Sequence, residues 1–115
     1  MPFGPADTVR SNIDKLLASK GGFVVFDDGN ELEYVQYSLE AGGLTLDWPS
    51  GYTSVTPEEV AALLRNLGVA PQVEEDGVYA NFGRDAERAT TFTMRAFREL
   101  YHRDPVTLNS RLELD

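Results

Sequence analysis

Apolar residues recur along this chain with two different periods, and the switches between them mark its elements. Val9, Ile13, Leu16 and Leu17 fall at i, i+4, i+7 and i+8 on an otherwise polar segment, which predicts an amphipathic helix from about Pro5 to Lys20. Lys20 suits the negative end of the helix dipole, and Gly21 offers a left-handed stop. The period then drops to two. Phe23 to Phe26 is aromatic and β-branched without polar alternation, the pattern of a strand covered on both faces. Asp27-Asp28-Gly29-Asn30 reads as a turn. Leu32 to Leu39 follows as a second strand with Val35, Tyr37 and Leu39 on one face, and Ala41-Gly42-Gly43 turns the chain again. Leu44, Leu46 and Trp48 alternate with Thr45 and Asp47 in a third strand with one buried face. Three strands joined by short turns predict an antiparallel meander.

The second helix has the strongest start signal: Thr56-Pro57-Glu58-Glu59 is a capping box with Pro at the first helical position. Val60, Leu63, Leu64 and Leu67 form its buried stripe and Gly68 ends it. Gln72 to Phe82 predicts a hairpin around Asp76-Gly77. A third helix runs from near Asp85 to about His102, with Ala89, Phe92, Ala96, Phe97 and Leu100 on its apolar face and Met94 and Tyr101 on its shoulder. After Pro105, Val106, Leu108, Leu112 and Leu114 alternate with polar residues, so a sixth strand, a partner-docking arm and an unstructured tail stand as alternatives. The expected fold is α+β: helix, three-strand antiparallel meander, helix, β-hairpin, helix, with an extra C-terminal strand as an option. Residues 1–104 form one domain in this reading, and 105–115 the tail or added strand.

Composition narrows the function classes. At 115 residues the chain suits one domain with one core. It has no cysteine, which excludes disulfides, thiolate metal sites and cysteine nucleophiles, and leans toward a reducing, cytoplasmic compartment. The N-terminus lacks a basic stretch followed by an apolar run, and Phe23-Val24-Val25-Phe26 is far short of a membrane span. The expectation is a soluble protein without membrane contact. The net charge of −9 is concentrated between Asp27 and Asp76, where Arg65 is the single basic residue. Such a field repels phosphate backbones, so direct nucleic-acid binding is not expected; the charge reads first as a solubility charge and, more sharply, as a surface that selects a basic protein partner.

Candidate chemistry dissolves under spacing. Asp27-Asp28-Gly29-Asn30-Glu31 is rich in oxygen, but it lacks the alternating ligand positions of a calcium loop and is short enough for a tight turn. His102-Arg103-Asp104 spells a kinase triplet without any of its companion motifs, and reads instead as a helix end before Pro105. His102 is the only histidine, so no triad or histidine metal cluster can be assembled. Glu58/Glu59 and Glu74/Glu75 are explained by capping and by a solvated hairpin. No glycine-rich phosphate loop is present. The sequence therefore points away from an enzyme, with no catalytic, metal or cofactor residues assigned.

What remains is aromatic surface. Trp48-Pro49-Ser50-Gly51-Tyr52 sets a Trp and a Tyr where the third strand ends, and such residues are enriched at interface hot spots. Trp48 also fits as the last inward residue of its strand. Tyr34 and Gln36 lie on the strand face opposite Val35 and Tyr37, a contact surface if no helix covers it.

Gly22-Phe23-Val24-Val25-Phe26, Tyr34-Val35-Gln36-Tyr37, Leu44-Thr45-Leu46-Asp47 and Thr56-Pro57-Glu58-Glu59 with its closing Leu67-Gly68, taken in this element order, resemble class I type III secretion chaperones. They also resemble the wider bacterial chaperone-like (TY-Chap, YbjN-type) domains. The likeness spans Val9 to Tyr101, and the alternating tail after Pro105 departs from the pattern. The resemblance implies a non-enzymatic domain that holds protein segments in extended form, often as a homodimer. The contact residues expected on this reading are Tyr34, Tyr37, Trp48 and Tyr52. Met94, Phe97 and Tyr101 are expected to mediate self-association. The competing expectation is an acidic inhibitor or immunity-type protein that blocks a basic, nucleic-acid-handling partner. A small-ligand pocket between sheet and helices is a third.

Overall fold

The apolar stripe of the first segment forms helix α1 (Pro5–Leu17), which buries Val9, Ile13 and Leu16. It ends three residues before Lys20. Arg84 donates to the Leu17 carbonyl at 3.0 Å and Ser19 Oγ to that of Leu16 at 2.6 Å, so side chains satisfy the last turn in place of a glycine stop. The positive φ falls on Gly22, at 132°, and not on Gly21. A Cβ on Gly22 would run into the Glu113 carbonyl oxygen. Glycine is needed there because another strand crosses too closely for a side chain.

This computed structural model describes residues 4–30, 32–49, 55–104 and 108–115. Among them β1 (Gly22–Asp27), β2 (Tyr34–Glu40) and β3 (Gly43–Pro49) form the antiparallel meander. The β1–β2 turn is built by side chains mimicking backbone. Asp27 Oδ1 accepts from the Gly29 N–H at 2.8 Å, Asp28 Oδ1 from Asn30 at 3.1 Å, and Asn30 Oδ1 from Leu32 at 2.9 Å. Those oxygens are committed to turn amides. Glu40 pairs with Gly43, leaving Ala41 and Gly42 as a two-residue loop with φ of 52° and 80°. Positive φ at both positions is the hairpin turn whose twist matches the strands.

Helix α2 (Pro57–Asn66) starts where its sequence signals, with the N-cap half of the capping box formed: Thr56 Oγ1 accepts from the Glu59 N–H at 3.3 Å, a cap worth about 1 kcal/mol. Gly68, at φ 77°, ends it with the Val69 N–H reaching back to Leu64 O at 2.9 Å. The hairpin of β4 (Pro71–Glu74) and β5 (Gly77–Gly83) follows, but its loop is Glu75-Asp76, one residue before the expected Asp76-Gly77. Gly77 is taken by packing: a Cβ there would sit 2.5 Å from the Trp48 carbonyl oxygen, where β5 crosses β3.

Helix α3 (Ala86–Arg95) continues through a π-helical turn, Ala96–Leu100, which the sequence pattern does not reveal. The Tyr101 N–H bonds Ala96 O at 3.0 Å, five residues back. His102 then takes a left-handed φ of 54° and Arg103 N–H bonds Phe97 O at 2.8 Å, so His102-Arg103-Asp104 is a helix terminus.

The tail resolves as β6 (Asn109–Leu114), pairing antiparallel with β1. The sheet has six strands in the order β4-β5-β3-β2-β1-β6. Val24, Phe26, Val35, Tyr37, Leu44, Leu46, Trp48, Val78, Ala80 and Phe82 point to one face, where they form a single buried cluster with the helices. Tyr37 carries the polar centre of that core. Its hydroxyl lies 3.0 Å from Ala89 O and 2.8 Å from Thr93 Oγ1, while Thr93 Oγ1 is 2.8 Å from the same carbonyl. Two hydroxyl protons thus serve three contacts, and burial pushes the Tyr37 phenol well above its ordinary pKa.

Candidate protein-contact surface

Strand alternation that sends one set of residues into the core sends the other to a second face. Register aligns one row across the whole sheet: Arg111, Val25, Gln36, Asp47, Tyr79 and Gln72. A parallel row holds Glu113, Phe23, Ser38, Thr45 and Asn81. Phe23, Val25, Tyr34, Gln36, Asp47 and Tyr79 are all half-buried, and no described helix packs over them. The expectation that both faces of the first strand are covered fails here. Val24 and Phe26 are buried, whereas Phe23 and Val25 lie on the open side.

This face has two chemical halves. At the β1–β2 end, Val25, Asp27, Gly29, Tyr34 and Gln36 line a shallow hollow of about 320 Å³. An aliphatic and an aromatic side chain there are flanked by hydrogen-bonding groups, the mixture found in protein-contact patches. At the β4–β5 end the surface is acidic, with Gln72, Glu74, Glu75, Asp76 and Tyr79 around a second hollow. Partial burial, and then the charges of Asp76 and Glu40, raise the pKa of Asp47. Hydrogen bonding to Asp76 raises that of Tyr79. Like charges held together in this way are relieved by a cation.

Of the residues expected to make contacts, Tyr34 alone is placed on the open face. Tyr37 is wholly buried, as its position in the inward set with Val35 requires. Trp48 is 3% exposed, stacked on Tyr101 at 5.3 Å and edge-on to Phe92 at 6.3 Å. Tyr52 lies outside the described residues. The self-association set is likewise spent inside the chain: Phe97 is fully buried, Met94 and Tyr101 nearly so. The π-helical turn brings Tyr101 inward, where its hydroxyl accepts from the Tyr34 N–H at 3.2 Å and donates to the Tyr34 carbonyl at 2.8 Å. Extending the β2–β3 register by two pairs beyond Gln36–Asp47 sets Pro49, which has no N–H, opposite Tyr34. The phenol therefore stands where a strand partner would.

Val25, Asp47 and Tyr79 are the surface residues that pattern reading did not single out. The outward parity of Asp47 and Tyr79 is legible, since Asp47 sits between Leu46 and Trp48 and Tyr79 between Val78 and Ala80, whereas Val25 stands in an unbroken apolar run that shows no parity. The pairing of β5 with β3, which sets Tyr79 beside Asp47, is not legible.

Among the described residues no group of three or more His, Asp or Glu side chains could hold a metal, and no helix is long and apolar enough to cross a membrane. Comparisons with protein-family models, with curated proteins and with solved structures find no match to this chain.

Proposed function

We propose that this domain is a non-enzymatic, chaperone-like protein-binding module that works as a homodimer and receives extended protein segments on its open sheet face. The observation that carries the reading is that face itself. It bears the half-buried Phe23, Val25 and Tyr34 on a sheet whose other side is fully packed. A ledge of this kind offers apolar contact and hydrogen bonding together, which suits an extended chain.

The test is suppression of aggregation of a chemically denatured model client on dilution. The comparison is with Val25→Ser/Tyr34→Ser, a variant that alters the ledge and leaves the packed face intact. Protection by the native protein, lost in the variant with its circular dichroism unchanged, supports the reading. Equal behaviour of the two proteins, or no protection by either, refutes it.

A second reading draws on the acidic half. Partial burial of Asp47, together with the nearby charges of Asp76 and Glu40, raises its pKa, and this gathering of carboxylates suits an inhibitor-type domain that covers a basic protein surface. Salt separates the two: contact through the acidic half weakens steeply between about 50 and 200 mM salt, whereas contact through the apolar half changes little.

A further inference from the structure

The two edges of the sheet are not alike. β4 has four residues and opens on Pro71, which carries no N–H, so it is a poor template for another strand. β6 has six residues, ends the strand order on the other side and has no partner beyond it among the described residues.

Its outward groups can be assigned. Asp115 N–H bonds Gly21 O at 3.0 Å, one step beyond the Gly22–Leu114 pair. Antiparallel alternation then turns the main-chain groups of Asn109, Arg111 and Glu113 toward β1. Those of Ser110, Leu112 and Leu114 turn to the open edge. Leu114 is 50% exposed.

We infer that β6 is the self-association edge, and that two copies join β6 to β6 antiparallel about a twofold axis at Leu112, making one continuous sheet. This specifies, and rests on, the homodimer in the proposed function. In that register Leu112 faces its own copy and Ser110 faces Leu114 of the other chain, and each such pair exchanges both main-chain hydrogen bonds. Arg111 of each chain faces Glu113 of the other, at the closely spaced, non-hydrogen-bonded positions. Charge, backbone direction and twofold symmetry are satisfied by the same register. A one-residue slip to either side breaks the symmetric match of Arg111 with Glu113.

The experiment measures the mass of the full chain by light scattering across a dilution series from micromolar upward, because so short an interface is expected to be weak. The proteins are the native chain, Glu113→Arg, and the reversed pair Arg111→Glu/Glu113→Arg. Both positions are exposed, and circular dichroism confirms the fold of each. The expected result is a native dimer of twice the 12.7 kDa chain mass. Glu113→Arg weakens it on the order of tenfold, and the reversed pair restores it. Amide exchange at Leu112 slows as the native protein is concentrated. A native monomer throughout the series overturns the homodimer altogether. A native dimer untouched by Glu113→Arg, with Leu112 exchange independent of concentration, overturns the β6 edge and leaves the homodimer standing.

Discussion

Tyr37→Phe tests how the core satisfies its polar centre. The ring stays in place, edge-on to Phe82 at 5.6 Å and to Phe26 at 6.5 Å, and only the hydroxyl is lost. Thr93 Oγ1 still has Ala89 O at 2.8 Å as acceptor, so no buried donor is orphaned. The expected cost is that of one neutral hydrogen bond, about 1 kcal/mol. That corresponds to roughly 4 °C in Tm for a chain of this size. Thr93→Val costs a similar amount for the mirror reason, since Tyr37 retains the same carbonyl at 3.0 Å. Each single substitution also removes the Tyr37–Thr93 contact, so the double variant is destabilised by less than the sum, with a shortfall of about 0.5–1 kcal/mol. Tyr37→Ala, by contrast, empties the ring site and costs about 3–5 kcal/mol. Urea unfolding of all four variants, fitted with a common slope, provides the numbers. Strict additivity, or a loss above about 3 kcal/mol in Tyr37→Phe, would show that the hydroxyls are not exchanging partners as described.

Other substitutions probe the backbone and the open face. Gly22→Ala forces a methyl group against the Glu113 carbonyl. It should cost about 2 kcal/mol or more and speed amide exchange at Arg111 and Glu113; unchanged exchange there would contradict the close crossing of β1 and β6. Ala41→Asn places the preferred residue at a left-handed hairpin position and should stabilise by about 0.5–1 kcal/mol in the same urea assay. Asp47 is a carboxylate whose folded pKa is raised, so its ionisation opposes folding once the pH exceeds the ordinary aspartate value, and the penalty is absent below it. Asp47→Asn should therefore raise the Tm at pH 7 and leave it unchanged near pH 3, about one unit below the free aspartate pKa. An equal shift at both pH values would assign the effect to packing.

Local order was written in local residues. The Val9-Ile13-Leu16 stripe, the Thr56-Pro57 start and Gly68 stop of α2, the meander and the turn at Asp27–Asn30 all follow from interactions within a few positions, which a sequence displays directly. The α+β composition follows from the same periods. Pattern also separates the two faces of β2 and β3, and so places Tyr34 and Gln36 opposite Val35 and Tyr37, but the unbroken apolar run of β1 hides which of its faces is open.

What only the tertiary structure decided depends on groups far apart in the chain. Whether the alternating tail is a strand was settled by β1, which offers it a partner some 85 residues upstream and demands glycine at position 22. Gly77 serves the crossing with Trp48 instead of the hairpin loop, which displaced the turn by one residue. The π-helical turn of α3 is paid for by contacts of Tyr101 with Trp48 and with the Tyr34 backbone, none of them visible in the helix's own sequence. For the same reason the aromatics Tyr37, Trp48, Phe97 and Tyr101 are core residues. An aromatic side chain looks alike in sequence whether it meets a partner or its own fold, and only the assembled sheet and helices say which surface it covers.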